Sequence, residues 1–319
     1  MTSLVTGGMG FLGSNLVRRL VERGEEVVAF DVFQNLRLLG DIADRVKLIQ
    51  GDITNLNEVV EAIKVNRVNR VYHMAALLTG VDQEMPLRAI DVNAVGMGNV
   101  FEACRLMDVE RVIFTSSIAI FDGIDGDITD DSPTCPVRPY GGLKLLGEIY
   151  GMRYYQAYGV DFRAVRLPVL YGAGDLYAYH YQSQLAARAA LGLPTEIQQP
   201  ANWSTTITYV KDAADAHIAV IDADKQRVKK RIYLVDGWHV TLEEYAKIVR
   251  GIVPGAEMKF LPKKDVMPPN KIFRGDYLRR ELGWKQSYTM EQATREIVEQ
   301  VRANPGWYSK GYFIRGKYV

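Results

Sequence analysis

Ser3-Leu4-Val5-Thr6-Gly7-Gly8-Met9-Gly10-Phe11-Leu12-Gly13 decides the reading of this chain, because an apolar, β-prone run passes straight into a glycine-rich turn and then into a helical pattern. Leu12, Leu16, Val17, Leu20 and Val21 recur at helical spacing, Gly24 supplies a C-terminal stop, and 26–30 reads as the next strand. The unit is therefore strand, crossover helix, strand. In such a setting Gly7 permits the tight turn, Gly10 lets backbone approach a pyrophosphate, and Gly13 allows the helix to pack closely. The helix N-terminus favours the negative charge of that ligand.

Working outward, further short β-branched runs at 46–49, 70–73, 112–114 and 162–166 alternate with helical stretches. Parallel strands need such crossovers, so the expected fold is α/β, a Rossmann-type doubly wound parallel sheet. The dinucleotide-binding domain is read as 1–168, and 206–210 and 232–235 are expected to return to the same sheet within 206–238. After Pro168 the alternation stops. A smaller, discontinuous and mostly helical substrate domain is expected over 169–319, mainly 169–205 and 239–319, with helices near 241–251 and 289–302. The aromatic tail beyond Trp307 has no assignment.

Composition narrows the class. With 39 Lys+Arg against 38 Asp+Glu, the formal charge of +1 gives no basic bias toward nucleic acid. No apolar run spans a bilayer, and Met1-Thr2-Ser3 leads directly into a strand, so no membrane partner and a cytoplasmic location are expected. The two cysteines, Cys104 and Cys135, form neither a disulfide framework nor a metal-ligand cluster, and no metal is expected.

Asp31 ends the second strand about 20 residues beyond the glycine loop, where a carboxylate accepts bonds from ribose hydroxyls and repels a 2′-phosphate. That favours NAD as cofactor. Asp52, after the third strand, is a second candidate, for the adenine edge. Tyr140 and Lys144 share one helical face. In a chain with 18 tyrosines the spacing alone says little; its position after the fifth strand, at the carboxyl edge of the sheet beside Thr115-Ser116-Ser117, gives it weight.

With these residues in view, the sequence resembles an extended short-chain dehydrogenase/reductase of the NAD-dependent epimerase/dehydratase family over nearly its whole length. The resemblance rests on the glycine loop, Asp31, Gly51-Asp52-Ile53, His73-Met74-Ala75-Ala76, Asn93, Ser116-Ser117, Tyr140 to Lys144, Tyr209-Val210-Lys211-Asp212 and Leu282-Gly283-Trp284. It implies that Tyr140 is the acid/base, Ser117 holds the substrate oxygen, Lys144 bonds the nicotinamide ribose, and Asn93 shapes the active-site helix. It places Gly7, Gly10, Phe11, Leu12, Asp31, Asp52, Ile53, Ala75, Ala76, Asn93, Tyr140 and Lys144 around the cofactor. A phenol of pKa near 10 needs nearby positive charge to act as a base at neutral pH, which suits the Tyr–Lys pairing. His73 is read as a packed residue of a buried strand.

Departures from the family patterns narrow the chemistry. Family 4,6-dehydratases carry Asp-Glu directly after the catalytic hydroxyl residue, and decarboxylases keep a Glu there, where this chain has Ile118 and Ala119. Nucleotide-sugar members usually carry an Asn three residues after the Arg of the sixth strand, and an Arg before the Tyr-Val-x-Asp motif. Here Val169 follows Arg166-Leu167-Pro168, and Thr205 and Thr206 precede Tyr209. The expected activity is NAD-dependent hydride transfer at a secondary alcohol or ketone of a small polar substrate, such as a sugar, sugar acid or hydroxy acid. A nucleotide-sugar 4-epimerase and a non-catalytic NAD-binding protein stand as the alternatives. A homodimer is expected, because the apolar residues of helices near 93–107 (Val95, Met97, Val100, Phe101, Leu106, Met107) and 142–158 (Leu145, Leu146, Ile149, Tyr150, Met152, Tyr154, Tyr155) wrap beyond one core-facing stripe.

Overall fold

The computed structural model describes residues 1–80, 84–175, 177, 180–262 and 271–308. Seven parallel strands form the main sheet: β1 (Thr2–Thr6), β2 (Glu26–Asp31), β3 (Lys47–Gln50), β4 (Arg70–His73), β5 (Arg111–Ser117), β7 (Asp161–Leu167) and β11 (Ile232–Leu234), after the short β6 (Ile128–Thr129) that lies outside it. Their order, β11-β7-β5-β4-β1-β2-β3, reverses direction at β1 and β4. Loops diverge there, opening the crevice in which doubly wound sheets bind ligands.

Each face carries its own core. Helix α1 (Phe11–Glu22) sets Leu16, Val17 and Leu20 against the sheet beside a later helix, Val210–Asp222. On the opposite face lie α2 (Leu56–Val65), α3 (Met97–Leu106) and α4 (Pro139–Tyr158), with Val59, Val100, Phe101 and Phe162 at their centre. Helix α3 is longer in effect than its sequence suggested, because Pro86–Ile90 and a π-helical stretch, Asp91–Gly96, run into it. Helix α4 begins with Pro139 in its first turn, where the missing N–H has no intrahelical partner to lose.

Only one of the two late strands rejoins the main sheet. Ile232–Leu234 pairs with β7, whereas β10 (Ser204–Tyr209) pairs in parallel with β8 (Val169–Tyr171) and antiparallel with β12 (Trp238–Thr241) in a separate three-stranded sheet. A β-branched run specifies a strand, but its partners depend on where the chain has already turned. Two short strands, β9 (Thr195–Ile197) and β13 (Met258–Phe260), pair beside this sheet. Three helices, α5 (Tyr181–Ala190), α7 (Leu242–Ile252) and α9 (Met290–Ala303), bury Leu185, Tyr245, Val249 and Ile297 against it, α6 being Val210–Asp222 and α8 Asp276–Leu282. Capping boxes at Thr241/Glu244 and Thr289/Gln292 fix the starts of α7 and α9. Residues 309–319, the greater part of the aromatic tail, lie outside the described residues, as do Tyr179, Lys263 and Lys264. Among the described residues no helix is long and apolar enough to cross a membrane.

Candidate active site

The glycine loop is shaped by close backbone approach. Gly7 adopts φ +68°, and a Cβ there would lie 2.9 Å from the nitrogen of Ala75; one on Gly13 would fall 2.0 Å from the carbonyl oxygen of Gly7. Only glycine fits both. Gly7 and Gly8 donate their N–H groups to the carbonyl of Phe30, tying the turn to β2. Gly10 starts α1 without a side-chain cap, and a Cβ on it would meet only the Gly7 oxygen, at 3.3 Å. Open N–H groups at the positive end of a helix, beside a residue that leaves room, suit a pyrophosphate. Phe11 and Leu12 form the first helical turn, Leu12 packing against the cores on either side.

Asp31 accepts the N–H of Met9 at 3.0 Å, so its carboxylate is held at the rim of the same loop. Burial pushes its pKa up, against backbone hydrogen bonds that pull it down. Asp52 is otherwise occupied: one oxygen accepts from the N–H and hydroxyl of Thr54, and the other pairs with Arg88 at 2.6 Å. Ile53 is buried where Gly96 leaves space, and its carbonyl accepts the amide of Asn99. Ala75 and Ala76 follow β4, where the Thr6 hydroxyl accepts the N–H of Ala75 at 3.3 Å. Asn93, within the π-helical stretch, accepts the N–H of Leu77 and donates to its carbonyl, both at 2.8 Å. It fixes the loop after β4. His73 is packed as expected, bonded to Thr6 at 2.8 Å, and burial together with Lys144 holds its pKa down to about 3.

The hydroxyl and amine candidates converge at the end of β5. Ser117 accepts the N–H of Ala119 at 3.2 Å and so caps the 3-10 turn Ile118–Phe121. A Cβ on Gly141 would fall 2.3 Å from the carbonyl oxygen of Ala119, so the first turn of α4, which carries Tyr140, is seated directly on the turn Ser117 caps. Gly147 and Gly151 sit equally close to the rings of Phe114 and Phe162. Lys144, at 4% exposure, donates to the Thr115 carbonyl at 2.8 Å and lies 4.9 Å above the Phe114 ring and 5.6 Å from the centre of the Tyr140 ring. Burial pushes its pKa down to about 7.

Two supporting groups were not singled out from the sequence. His217 of α6 donates from Nδ1 to the Ala213 carbonyl at 2.8 Å, so its Nε2 accepts the Thr115 hydroxyl at 2.9 Å. Glu148 of α4 accepts the Ser116 hydroxyl at 2.6 Å and the Arg166 guanidinium at 2.9 and 2.8 Å. Glu148 lies four residues beyond Lys144, and a carboxylate continuing the face of the Tyr–Lys pair is the signal that would have found it.

A model of the NAD dependent epimerase/dehydratase family matches residues 3–236. The chain belongs to this family. NAD is its cofactor, and the glycine loop and Asp31 described above fit that group. The UDP-glucose 4-epimerase of Lacticaseibacillus casei is 28% identical over 310 residues, covering 90% of this chain and 92% of that protein. The mitochondrial L-threonine 3-dehydrogenase of Bos taurus is 27% identical over 315 residues, 92% of this chain and 81% of that protein. The solved structure of Thermus thermophilus UDP-glucose 4-epimerase in complex with NAD superposes with a TM-score of 0.82 at 26% identity, over 95% of this chain and 99% of that one. Epimerase and dehydrogenase relatives thus stand at nearly equal distance from this family member.

Proposed function

We propose that this family member is a dehydrogenase that oxidises the secondary alcohol of a small polar substrate, with Tyr140 as the acid/base. The observation carrying this reading is the seating of Tyr140 on the Ser117 turn with Lys144 beneath it. Bound NAD supplies the hydride acceptor, held by the glycine loop and Asp31. Ser117 fixes the substrate oxygen by a hydrogen bond, and Tyr140 removes the hydroxyl proton. Lys144 places positive charge beside the phenol, which favours its ionised form. Its reach to the Thr115 carbonyl orients that charge, and the hydroxyl of Thr115 is held in turn by His217.

Features of the second sheet favour a small substrate over a nucleotide sugar. Thr205 and Thr206 are fully buried, and the Thr206 hydroxyl already accepts the N–H of Phe273. Arg188 is turned onto the Pro194 carbonyl, and Arg274 onto Asp127. Neither offers the free bidentate grip that a diphosphate requires. Ile118 and Ala119 carry no acid/base for elimination. The likeness to L-threonine 3-dehydrogenase makes a β-hydroxy amino acid the first substrate to try, before sugars, sugar acids and simple hydroxy acids.

The second reading, a UDP-glucose 4-epimerase, is favoured by the Lacticaseibacillus and Thermus relatives. NADH formation on a panel of hydroxy amino acids, hydroxy acids, polyols and aldoses supports the dehydrogenase; interconversion of UDP-glucose and UDP-galactose without net reduction supports the epimerase. The working unit in this reading is a homodimer formed through α3 and α4.

A further inference from the structure

Tyr140 is fastened on both sides to the turn that Ser117 begins. The residue after it, Gly141, lies against the Ala119 carbonyl, where a Cβ would fall 2.3 Å from the oxygen. Two residues before it, Arg138 is the N-cap residue of α4, and its side chain makes no cap. The guanidinium reaches instead to Asp122, Nε donating to Oδ2 at 2.6 Å and Nη2 to Oδ1 at 2.9 Å. Asp122 directly follows the 3-10 turn Ile118–Phe121. The two stretches also run together along the backbone: the N–H of Cys135 donates to the Ile120 carbonyl and that of Gly123 to the Cys135 carbonyl, both at 2.8 Å.

A guanidinium–carboxylate fork fixes direction as well as distance. The side chains of Arg138 and Asp122 are 42% and 18% exposed, and an ion pair so open to water adds little to stability. What this fork does fix is how closely the first turn of α4, with Tyr140, approaches the turn capped by Ser117. That turn keeps its own fold without the fork, because Ile120 and Phe121 are fully buried and Lys271 Nζ donates to the carbonyls of Phe121 and Asp122, each at 3.2 Å. Removing the fork therefore loosens one turn against the other and leaves both intact.

We propose that Arg138 and Asp122 are a pair of positioning residues that sets the separation between the Tyr140 phenol and the Ser117 hydroxyl, and with it the rate of proton removal from the substrate alcohol. The inference rests on the roles given above to Tyr140 and Ser117, and it holds for the dehydrogenase and the epimerase alike, since in both the proton leaves through Tyr140. A general base works only within hydrogen-bond reach of its proton, and a misplacement of about 1 Å can lower a rate by roughly a hundredfold.

The test compares Arg138→Ala, Asp122→Ala and the double variant with the unmodified enzyme. In crystals grown with NADH, a readout that needs no substrate, the distance between the Ser117 and Tyr140 oxygens should widen by about 1 Å in every variant. On whichever of the alcohols or UDP-sugars the unmodified enzyme converts, kcat should fall by about ten- to a hundredfold in each single variant and no further in the double, while KM and NADH affinity stay within about twofold. Melting temperatures should barely move, and Asp122→Glu, which keeps a carboxylate for the fork, should recover most of the rate. An unchanged oxygen–oxygen distance, losses that add in the double variant, or a fall in rate that only tracks lost folded protein overturns the proposal. So does a rise in KM for Arg138→Ala that Asp122→Ala does not share, because Arg138 would then be touching substrate. Full rate in both single variants of an enzyme that Tyr140→Phe silences sinks the pair and spares the reading; a Tyr140→Phe enzyme that keeps its rate sinks the reading itself.

Discussion

The ammonium of Lys144 lies 2.8 Å from the carbonyl oxygen of Thr115, sealed under the first turns of α4 with 4% of the residue exposed. A charged amine held by a neutral carbonyl keeps most of its desolvation cost, which is why burial brings its pKa to about 7. The unfolded chain holds this proton up to a pKa near 10.4, so between about pH 7 and pH 10 the unfolded state binds more protons than the folded one. Stability of the cofactor-free protein should rise with pH across that window, by up to about 1.4 kcal/mol per unit from this one group. Denaturant melts of the unmodified protein and Lys144→Met at pH 7 and pH 9 check it: the variant should lose most of the rise.

Tyr140→Phe removes only the phenolic oxygen. Turnover should drop by about 100-fold to 10,000-fold, the usual contribution of a general acid/base, while NAD affinity measured by fluorescence stays within a small factor of the original. A variant keeping a third of its rate would refute the assignment.

Asp31 holds its charge at the rim of the glycine loop, bonded to the N–H of Met9. The unmodified enzyme should prefer NAD over NADP, and Asp31→Ala should narrow the ratio of kcat/KM values between them by removing repulsion toward the 2′-phosphate. Equal use of both cofactors before mutation contradicts this role.

Glu148 and Arg166 form a pair whose side chains are 3% and 12% exposed. Glu148→Ala should destabilise the fold by about 3 to 5 kcal/mol, because it strands the guanidinium in a low-dielectric layer. The double variant Glu148→Met/Arg166→Met should recover much of that loss, since no unpaired charge remains. Urea midpoints of the three proteins decide it.

Helices α3 and α4 pack side by side through Phe101 and Tyr154, 6.0 Å apart, and bury Met97, Val100 and Phe101 against the sheet. Val95, Leu106, Ile149, Tyr150 and Tyr155 stay exposed. Ile149→Lys together with Tyr150→Lys should halve the mass of a dimer in light scattering at micromolar concentration. A monomer before mutation counts against the interface.

The first half of the fold was legible because its signals are local. Strand, glycine turn and amphipathic helix from Ser3 to Val21 each lie within a few residues of one another, and the position of Tyr140 follows from counting strands. What stayed hidden depends on distant partners. Thr115 meets His217 across 102 residues, and Ser116 meets Glu148 across 32, so the helical spacing that sets Glu148 beyond Lys144 could not name the serine it holds. The need for glycine at 141 comes from the Ala119 carbonyl packed against it, a contact that no local spacing shows. The run at 206–210 announced a strand but not its sheet, because β8 takes the place beside β10 only once the chain has turned at Pro168. Asp52 matched a motif, yet Arg88 and Thr54 occupy its carboxylate.

The same chain path sets a mechanical limit. It leaves the large sheet at Leu167 and enters the small one at Val169 with a single proline between, and it passes from β10 at Tyr209 into α6 at Val210 with no linker at all. The two layers are thus stitched together by two seams without slack, and a rigid rotation of one sheet against the other would have to bend a strand end or unwind a helix start. Substrate access then falls to the segments at the carboxyl edge of the large sheet, such as the one after β4 that Asn93 holds through Leu77. New substrate preferences in a molecule so joined are reached by exchanging side chains on those segments, with the frame left as it is.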